Sequence, residues 1–312
     1  MRPAAATTCE ARALAAPLPW RAAAVARIAD YLALTKPRIA LLVLLTVSAG
    51  YVLGSADRWQ PLPLLHALFG IGLVAAASSA FNQLFERESD SLMQRTENRP
   101  LPAGRLTAAE VCLFASFTAA LGIIWLALFV NWATALLSAA TLALYAGVYT
   151  PLKQRTSFST AVGAIPGALP PVLGWAASGA GLDMGAFSLF AILFLWQFPH
   201  FLAIAWIYRE DYGRAGLRML PAAGRAPGVT GLMAVAYALA LVPISLLPGA
   251  CGLAGTVFAG VALALSGLYL LAALRFAARE SLWTARRLLW TSLVYLPLLL
   301  AVLVWDHFQL LS

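Results

Sequence analysis

The sequence predicts an all-α polytopic membrane protein, about nine transmembrane helices in one bundle. Three observations predict it. Of the 312 residues, 62% are hydrophobic and only 11% charged, whereas a soluble domain carries about 25% charged residues. The apolar residues gather in runs close to the ~20 that a spanning helix needs. Between the runs lie segments that hold nearly all the charge.

Nine runs qualify: residues 39–54, 64–85, 111–130, 132–149, 160–177, 186–208, 229–247, 251–273 and 288–305. The fifth contains Pro166, Pro170 and Pro171, which would break a soluble helix but are tolerated in membranes where neighbours satisfy the freed carbonyls. Nine spans put the termini on opposite sides, and the basic residues test that topology. Arg58 stands alone on one side, and the other 20 of the 21 Lys and Arg residues fall on the opposite side. The positive-inside rule makes the basic side cytoplasmic. The net charge of +8 therefore reports topology rather than a nucleic-acid partner.

Residues 1–30 are rich in Ala and Arg and lack an apolar core long enough for a signal peptide. They are expected to form a flexible basic cytoplasmic extension ahead of a transmembrane domain spanning 31–312, though a transit peptide has a similar composition. Cys9, Cys112 and Cys251 show neither metal spacing nor a disulfide framework. Two long cytoplasmic loops end alike, in Arg99-Pro-Leu-Pro-Ala-Gly-Arg105 and Arg218-Met-Leu-Pro-Ala-Ala-Gly-Arg225. Their placement suggests two four-helix repeats plus a ninth helix, with a site between the repeats.

Asn82, Glu86 and Asp90 recur every four residues, which lays them on one helix stripe where the second span leaves the membrane. Glu88 is off that stripe. Mg²⁺ takes one or two carboxylates plus substrate phosphates, so the stripe suits a metal-bound diphosphate; the bland alternative is a charged helix end among headgroups. Arg95, Arg99, Lys153 and Arg155 follow, and Arg offers forked donors to phosphate. Cytoplasmic loops are basic in any case, but topology alone does not explain the alternation of these bases with Glu86, Glu88, Asp90 and Glu97. Glu210, Asp211, Arg214 and Arg218 repeat the theme in the second loop. Within the sixth span, Gln197 and His200 share a face. Intramembrane polar groups of this kind mark function by default, with a hydrogen-bonded structural His as the alternative.

Five segments carry a resemblance. They are Asn82-Gln-Leu-Phe-Glu-Arg-Glu-Ser-Asp90, Met93-Gln-Arg-Thr-Glu-Asn-Arg-Pro-Leu101, Tyr149-Thr-Pro-Leu-Lys-Gln-Arg-Thr156, Trp196-Gln-Phe-Pro-His-Phe201 and Asp211-Tyr-Gly-Arg-Ala-Gly-Leu-Arg-Met-Leu-Pro221. In order and spacing the chain resembles the UbiA-type intramembrane prenyltransferases, and within them the haem-farnesylating branch. The likeness runs from about Tyr31 to the C-terminus. Glu86 stands where the superfamily usually has Asp, Gln154 where a second base often follows the Lys, and the second loop has Asp211 but no Asp-x-x-x-Asp spacing, as is usual in this branch.

The resemblance implies farnesyl diphosphate as donor, haem b as acceptor and haem O as product, with Mg²⁺ as cofactor. It implies Asn82, Glu86, Asp90 and Asp211 as metal ligands and Arg95, Arg99, Lys153 and Arg155 as the diphosphate's partners. His200 and Gln197 are left on the haem side. It further implies a haem A synthase or terminal oxidase downstream, while the Ala, Arg and Gly richness suggests a bacterial inner membrane, or alternatively a mitochondrial one. Rival readings are a UbiA-type enzyme acting on a quinone precursor, a secondary transporter of an anionic amphiphile, and a structural assembly factor. The nearly uncharged far side disfavours the transporter, and the paired acidic loops disfavour the assembly factor.

Overall fold

A computed structural model describes residues 20–55, 58, 60–153, 155–217 and 228–312. The helices are α1 (Trp20–Thr35), α2 (Pro37–Ser55), α3 (Pro61–Phe85), α4 (Arg87–Ser91), α5 (Ala108–Phe129) and α6 (Trp132–Leu142), which continues through a π-helical stretch, Ala143–Tyr149, into α7 (Thr150–Leu152). Then come α8 (Ser159–Ala168), α9 (Pro170–Ala177), α10 (Met184–Ile207), α11 (Arg209–Arg214), α12 (Val229–Ile244), α13 (Leu247–Ala250), α14 (Thr256–Ala278) and α15 (Leu282–Leu311). Among the described residues, nine helical runs are long and apolar enough to cross a bilayer, one for each predicted span.

The boundaries differ where a cap rather than hydropathy sets them. The eighth span begins at Thr256, not near Cys251. Gly252 turns with φ +74°, and the Asp306 carboxylate accepts the N–H groups of Gly255 and Phe258 to start α14. The ninth span begins at Leu282, where Ser281 and Thr284 form a capping box. Arg286 and Arg287 therefore ride on helix rather than loop. The fifth run is two helices in line, α8 and α9, meeting at Leu169 just before the Pro170–Pro171 pair.

The boundary expected at residue 30 falls inside α1. Leu34 packs with Ala80, Leu84, Leu106, Val111 and Ala115, Arg27 pairs with Glu110, and Arg105 binds Asp30 at 2.8 Å. These contacts place residues 20–30 in a helix set against α3 and α5. The rest of that predicted segment lies outside the described residues.

The pairing order recurs in the two halves. In the first, α2 packs on α3, α3 on α5 and α5 on α6; in the second, α8 and α9 pack on α10, α10 on α12 and α12 on α14. The ninth span, α15, lies against α14, α10 and α2. Short helices follow the second helix of each half, α4 after α3 and α11 after α10.

Apolar area gives helices no drive to associate within lipid, so close packing at small residues carries it. The first helices of the two halves touch backbone to backbone. A Cβ at Gly174 would lie 1.9 Å from Val47 O, and one at Gly50 would lie 1.9 Å from Pro171 O. Within the first half, a Cβ at Gly122 would lie 2.9 Å from Gly70 O. Leu189, Phe258, Tyr269, Leu288 and Tyr295 fill the second half. Leu113, Phe117, Leu128 and Trp290 stay exposed on the surface that faces the bilayer.

Candidate active site at the ionic mouth

The predicted stripe survives a break in the helix. α3 ends at Phe85 and Glu86 sits at φ −94°, ψ 5°, between α3 and α4. Even so, the Glu86 N–H donates to Asn82 O at 3.0 Å, and Glu86 O accepts from the Asp90 N–H at 2.7 Å. The four-residue ladder passes through all three residues and keeps their side chains together. Asn82 and Asp90 are only 2% and 1% exposed. Glu88 points away and pairs with Arg87 at the surface.

Three cations converge on the stripe. Lys153 Nζ lies 2.7 Å from Glu86 Oε1, Arg99 lies 2.5 Å from Asp90 Oδ2, and Lys36 donates to Asn82 Oδ1 at 2.9 Å. The π-helical stretch positions the first. It ends with the Thr150 N–H on Tyr145 O and places the Tyr149 ring 4.5 Å from Lys153 Nζ; such wide turns recur at functional sites. The Thr150 hydroxyl also receives the Asn82 amide at 3.4 Å.

Lys36 was not among the candidates read from sequence. It links α1 to α2 with φ +48°, a left-handed conformation that costs a side-chain-bearing residue roughly 1–2 kcal/mol. The available signal was a lysine directly before the Pro37 that opens a span.

Burial and mutual repulsion shape the charges. Burial lowers the Lys36 pKa to about 8, helped by Arg99 and Lys153. Burial works against the Lys153 charge as well, but Tyr149, Glu86 and Tyr145 outweigh it and raise its pKa. Burial pushes Glu86 up, and Lys153, Lys36 and Arg99 together hold it below the usual carboxylate range. At Asp90, burial prevails over Arg99 and the pKa is raised. The result is a crowded set of cations around two carboxylates, a field suited to a multivalent anion.

Arg95 and Arg155 are exposed. The Arg95 guanidinium lies 4.7 Å over the Tyr208 ring and reaches Tyr212 OH at 3.5 Å. Tyr212, Met93 and Leu217 share a small apolar cluster, so the two long loops meet. Asp211 forms an ion pair with Arg214. Among the described residues no three His, Cys, Asp or Glu side chains gather into a group that could hold a metal. Asp211 instead has Arg214, one turn along α11, as its ion partner. Arg218 lies outside the described residues.

His200 and Gln197 share a helix but not a neighbour. Three residues leave about 60° between their directions, and α10 runs between α8 and α15. Gln197 is buried and donates to Ala164 O of α8 at 2.7 Å. His200 turns to α15, where its Nδ1 meets Ser292 Oγ at 2.7 Å. The Ser292 hydroxyl also lies 2.6 Å from Leu289 O, within its own helix. Ser292, which sequence reasoning missed, is therefore the polar partner that orients the His200 ring.

The acidic stripe fits a hard cation. Asp90 Oδ1 is buried with no hydrogen-bond partner, and an orphaned carboxylate oxygen is costly unless a ligand satisfies it. Beside it stand the Asn82 amide and Glu86, an all-oxygen donor set of the kind Mg²⁺ prefers.

The signature of the UbiA prenyltransferase family matches residues 43–294. A Solibacter usitatus protein named Protoheme IX farnesyltransferase is 46% identical over 287 residues, covering 89% of this chain and 98% of its own. A Koribacter versatilis protein of the same name is 42% identical over 288 residues, covering 89% and 93%. In fold, the chain is similar to a solved digeranylgeranylglyceryl phosphate synthase, with a TM-score of 0.76 at 17% identity, covering 91% of this chain and 99% of that one. It is also similar to a UbiA homologue from Archaeoglobus fulgidus bound to GPP and Mg²⁺, with a TM-score of 0.67 at 19% identity and the same coverage. The mouth described above and these likenesses agree: the chain belongs to the UbiA prenyltransferase family.

Proposed function

We propose that the chain transfers the farnesyl group of farnesyl diphosphate to a vinyl group of haem b, giving haem O. The 46% identity to a protein named Protoheme IX farnesyltransferase, over nearly its whole length, carries the choice of acceptor. The cations gathered around Asn82, Glu86 and Asp90 support the donor half.

Asn82, Glu86 and Asp90 would hold Mg²⁺. Asp211 is a further candidate ligand once Arg214 turns from it to phosphate. Bound there, Mg²⁺ would supply charge stabilisation to the leaving diphosphate. Lys153, Arg99 and Lys36 lie within reach of the same anion, and Arg95 and Arg155 at the rim complete the cradle. As the allylic carbon–oxygen bond breaks, its electron pair leaves with the diphosphate, and these cations favour that charge more than they favour the intact ester. The bundle interior shields the allylic cation from water. The vinyl terminus then bonds to the allylic carbon, water adds to the other vinyl carbon, and a proton departs. His200, its Nδ1 held on Ser292, would act on the haem side, on the iron, a propionate or the added water.

By the positive-inside rule the mouth is cytoplasmic in a bacterial inner membrane. The product's consumer would be a haem A synthase or a terminal oxidase. Membranes holding the protein, given haem b, farnesyl diphosphate and Mg²⁺, are expected to yield an extractable haem with the mass of haem O, lost on chelation and regained with Mg²⁺. Inserted protein that made no farnesylated haem, yet prenylated a quinone precursor, would move the reading to that acceptor.

A further inference from the structure

A groove of about 460 Å³ runs between α14 and α15 on the outside of the bundle. Leu265, Leu268 and Leu271 form one wall, with Trp290 and Val294 on the other, and Arg275 and Arg287 stand at its end. We propose that this groove binds an anionic phospholipid, with one acyl chain along the apolar walls and the phosphate between Arg275 and Arg287.

Four observations carry the proposal. The groove opens to the bilayer, because Leu268, Leu271, Trp290 and Val294 are exposed on the lipid-facing surface. Its length suits one leaflet: ten residues from Leu265 to Arg275 span about 15 Å, half of the ~30 Å hydrocarbon core. Both arginines lie on the same membrane face, at the end of α14 and the start of α15, the depth at which a headgroup phosphate sits.

Neither arginine pairs with a carboxylate among the described residues. Glu280, the acid that follows α14, is turned to the start of α12, where it accepts the Gly231 N–H at 2.6 Å. The Arg287 guanidinium rests 3.6 Å over the Trp283 ring, which pre-orders it. Two uncompensated guanidinium groups favour a headgroup with net negative charge over one whose phosphate is already balanced by its own ammonium. Haem, the other amphiphilic anion at hand, finds no His, Cys or Met in the groove wall to meet its iron.

The test is native mass spectrometry of the full-length protein, washed free of lipid and given phosphatidylglycerol or phosphatidylcholine of matched chains. The wild type is expected to retain one phosphatidylglycerol at a voltage that strips phosphatidylcholine. Arg275→Gln with Arg287→Gln is expected to lower that retention at least tenfold. Arg279→Gln with Arg286→Gln removes the same charge outside the groove and is expected to change little. Trp290→Ala, which spoils only the wall, is expected to weaken retention with the charge intact. Melting temperature checks that each variant is folded, and the single Arg275→Gln serves if the double is not. Equal retention of both lipids by the wild type, or equal loss in both double variants, would overturn the proposal. So would displacement of the bound lipid by stoichiometric haem b.

Discussion

Lys153 Nζ lies 2.7 Å from Glu86 Oε1, tying the end of the fourth span to the end of the second. The two side chains are only 14% and 12% exposed. A donor diphosphate would draw Lys153 away and free Glu86 for the metal, so substrate binding exchanges this contact. Lys153→Met strands a buried carboxylate, at a cost of about 3 kcal/mol. The melting temperature in detergent is expected to fall, and adding Glu86→Gln to recover much of it. Turnover is expected to drop by ~100-fold or more in both single variants and in the pair. A pair that regained activity along with stability would leave the contact a structural one.

Lys36 separates function from stability in the opposite sense. Glycine accepts the positive φ without penalty, so Lys36→Gly is expected to keep or raise the melting temperature. Without the amine, the KM for farnesyl diphosphate is expected to rise ~10-fold or more, since charge-assisted hydrogen bonds contribute about 1.5–3 kcal/mol. An unchanged KM would remove Lys36 from the donor site.

Ser292 is expected to act through His200. Ser292→Ala removes the hydrogen-bond partner of Nδ1, and loss of such a partner typically weakens metal ligation ~10–100-fold. Titration of haem b, followed in the Soret band, is expected to show that loss, while binding of farnesyl diphosphate stays the same. If His200→Ala left the haem spectrum untouched, iron ligation would be excluded.

The glycine contact between the halves gives a stability prediction. Gly174→Ala drives a methyl into Val47 O, and overpacking without room to shift is expected to cost about 3 kcal/mol and most of the folded yield. Gly260→Ala on α14 meets nothing within 4 Å and is expected to be neutral or slightly stabilising. Yields from fluorescence-detected gel filtration compare the two directly.

Spans, topology and the acidic stripe were legible because each rests on a local regularity: hydropathy over twenty residues, charge by loop, and a four-residue spacing that outlasted the kink at Glu86. The helix α1 was not legible, because its stability comes from Leu34 packing on α3 and α5 and from Arg27 and Asp30 reaching residues more than seventy positions away. Lys36 read as one base among many, since nothing in its neighbours shows that its amine turns inward. Gln197 and His200 shared a face by arithmetic, yet which helix each would meet depended on the tertiary order. Ser292 was hidden for the same reason, being ninety-two positions from its partner.

The contact of α2 with α9 also limits how this protein can move. With Gly50 and Gly174 pressed on opposing carbonyl groups, no side chain separates the two helices at these points to act as a bearing. Rocking one half against the other would have to prise apart two backbones along their closest line, the motion an alternating-access carrier depends on. The freedom that remains is in the loops at the mouth, where a bound anion and its metal can draw Arg99 and Arg214 from Asp90 and Asp211. Such a molecule behaves as a fixed vessel with a working rim, and its substrates come and go without the vessel turning over.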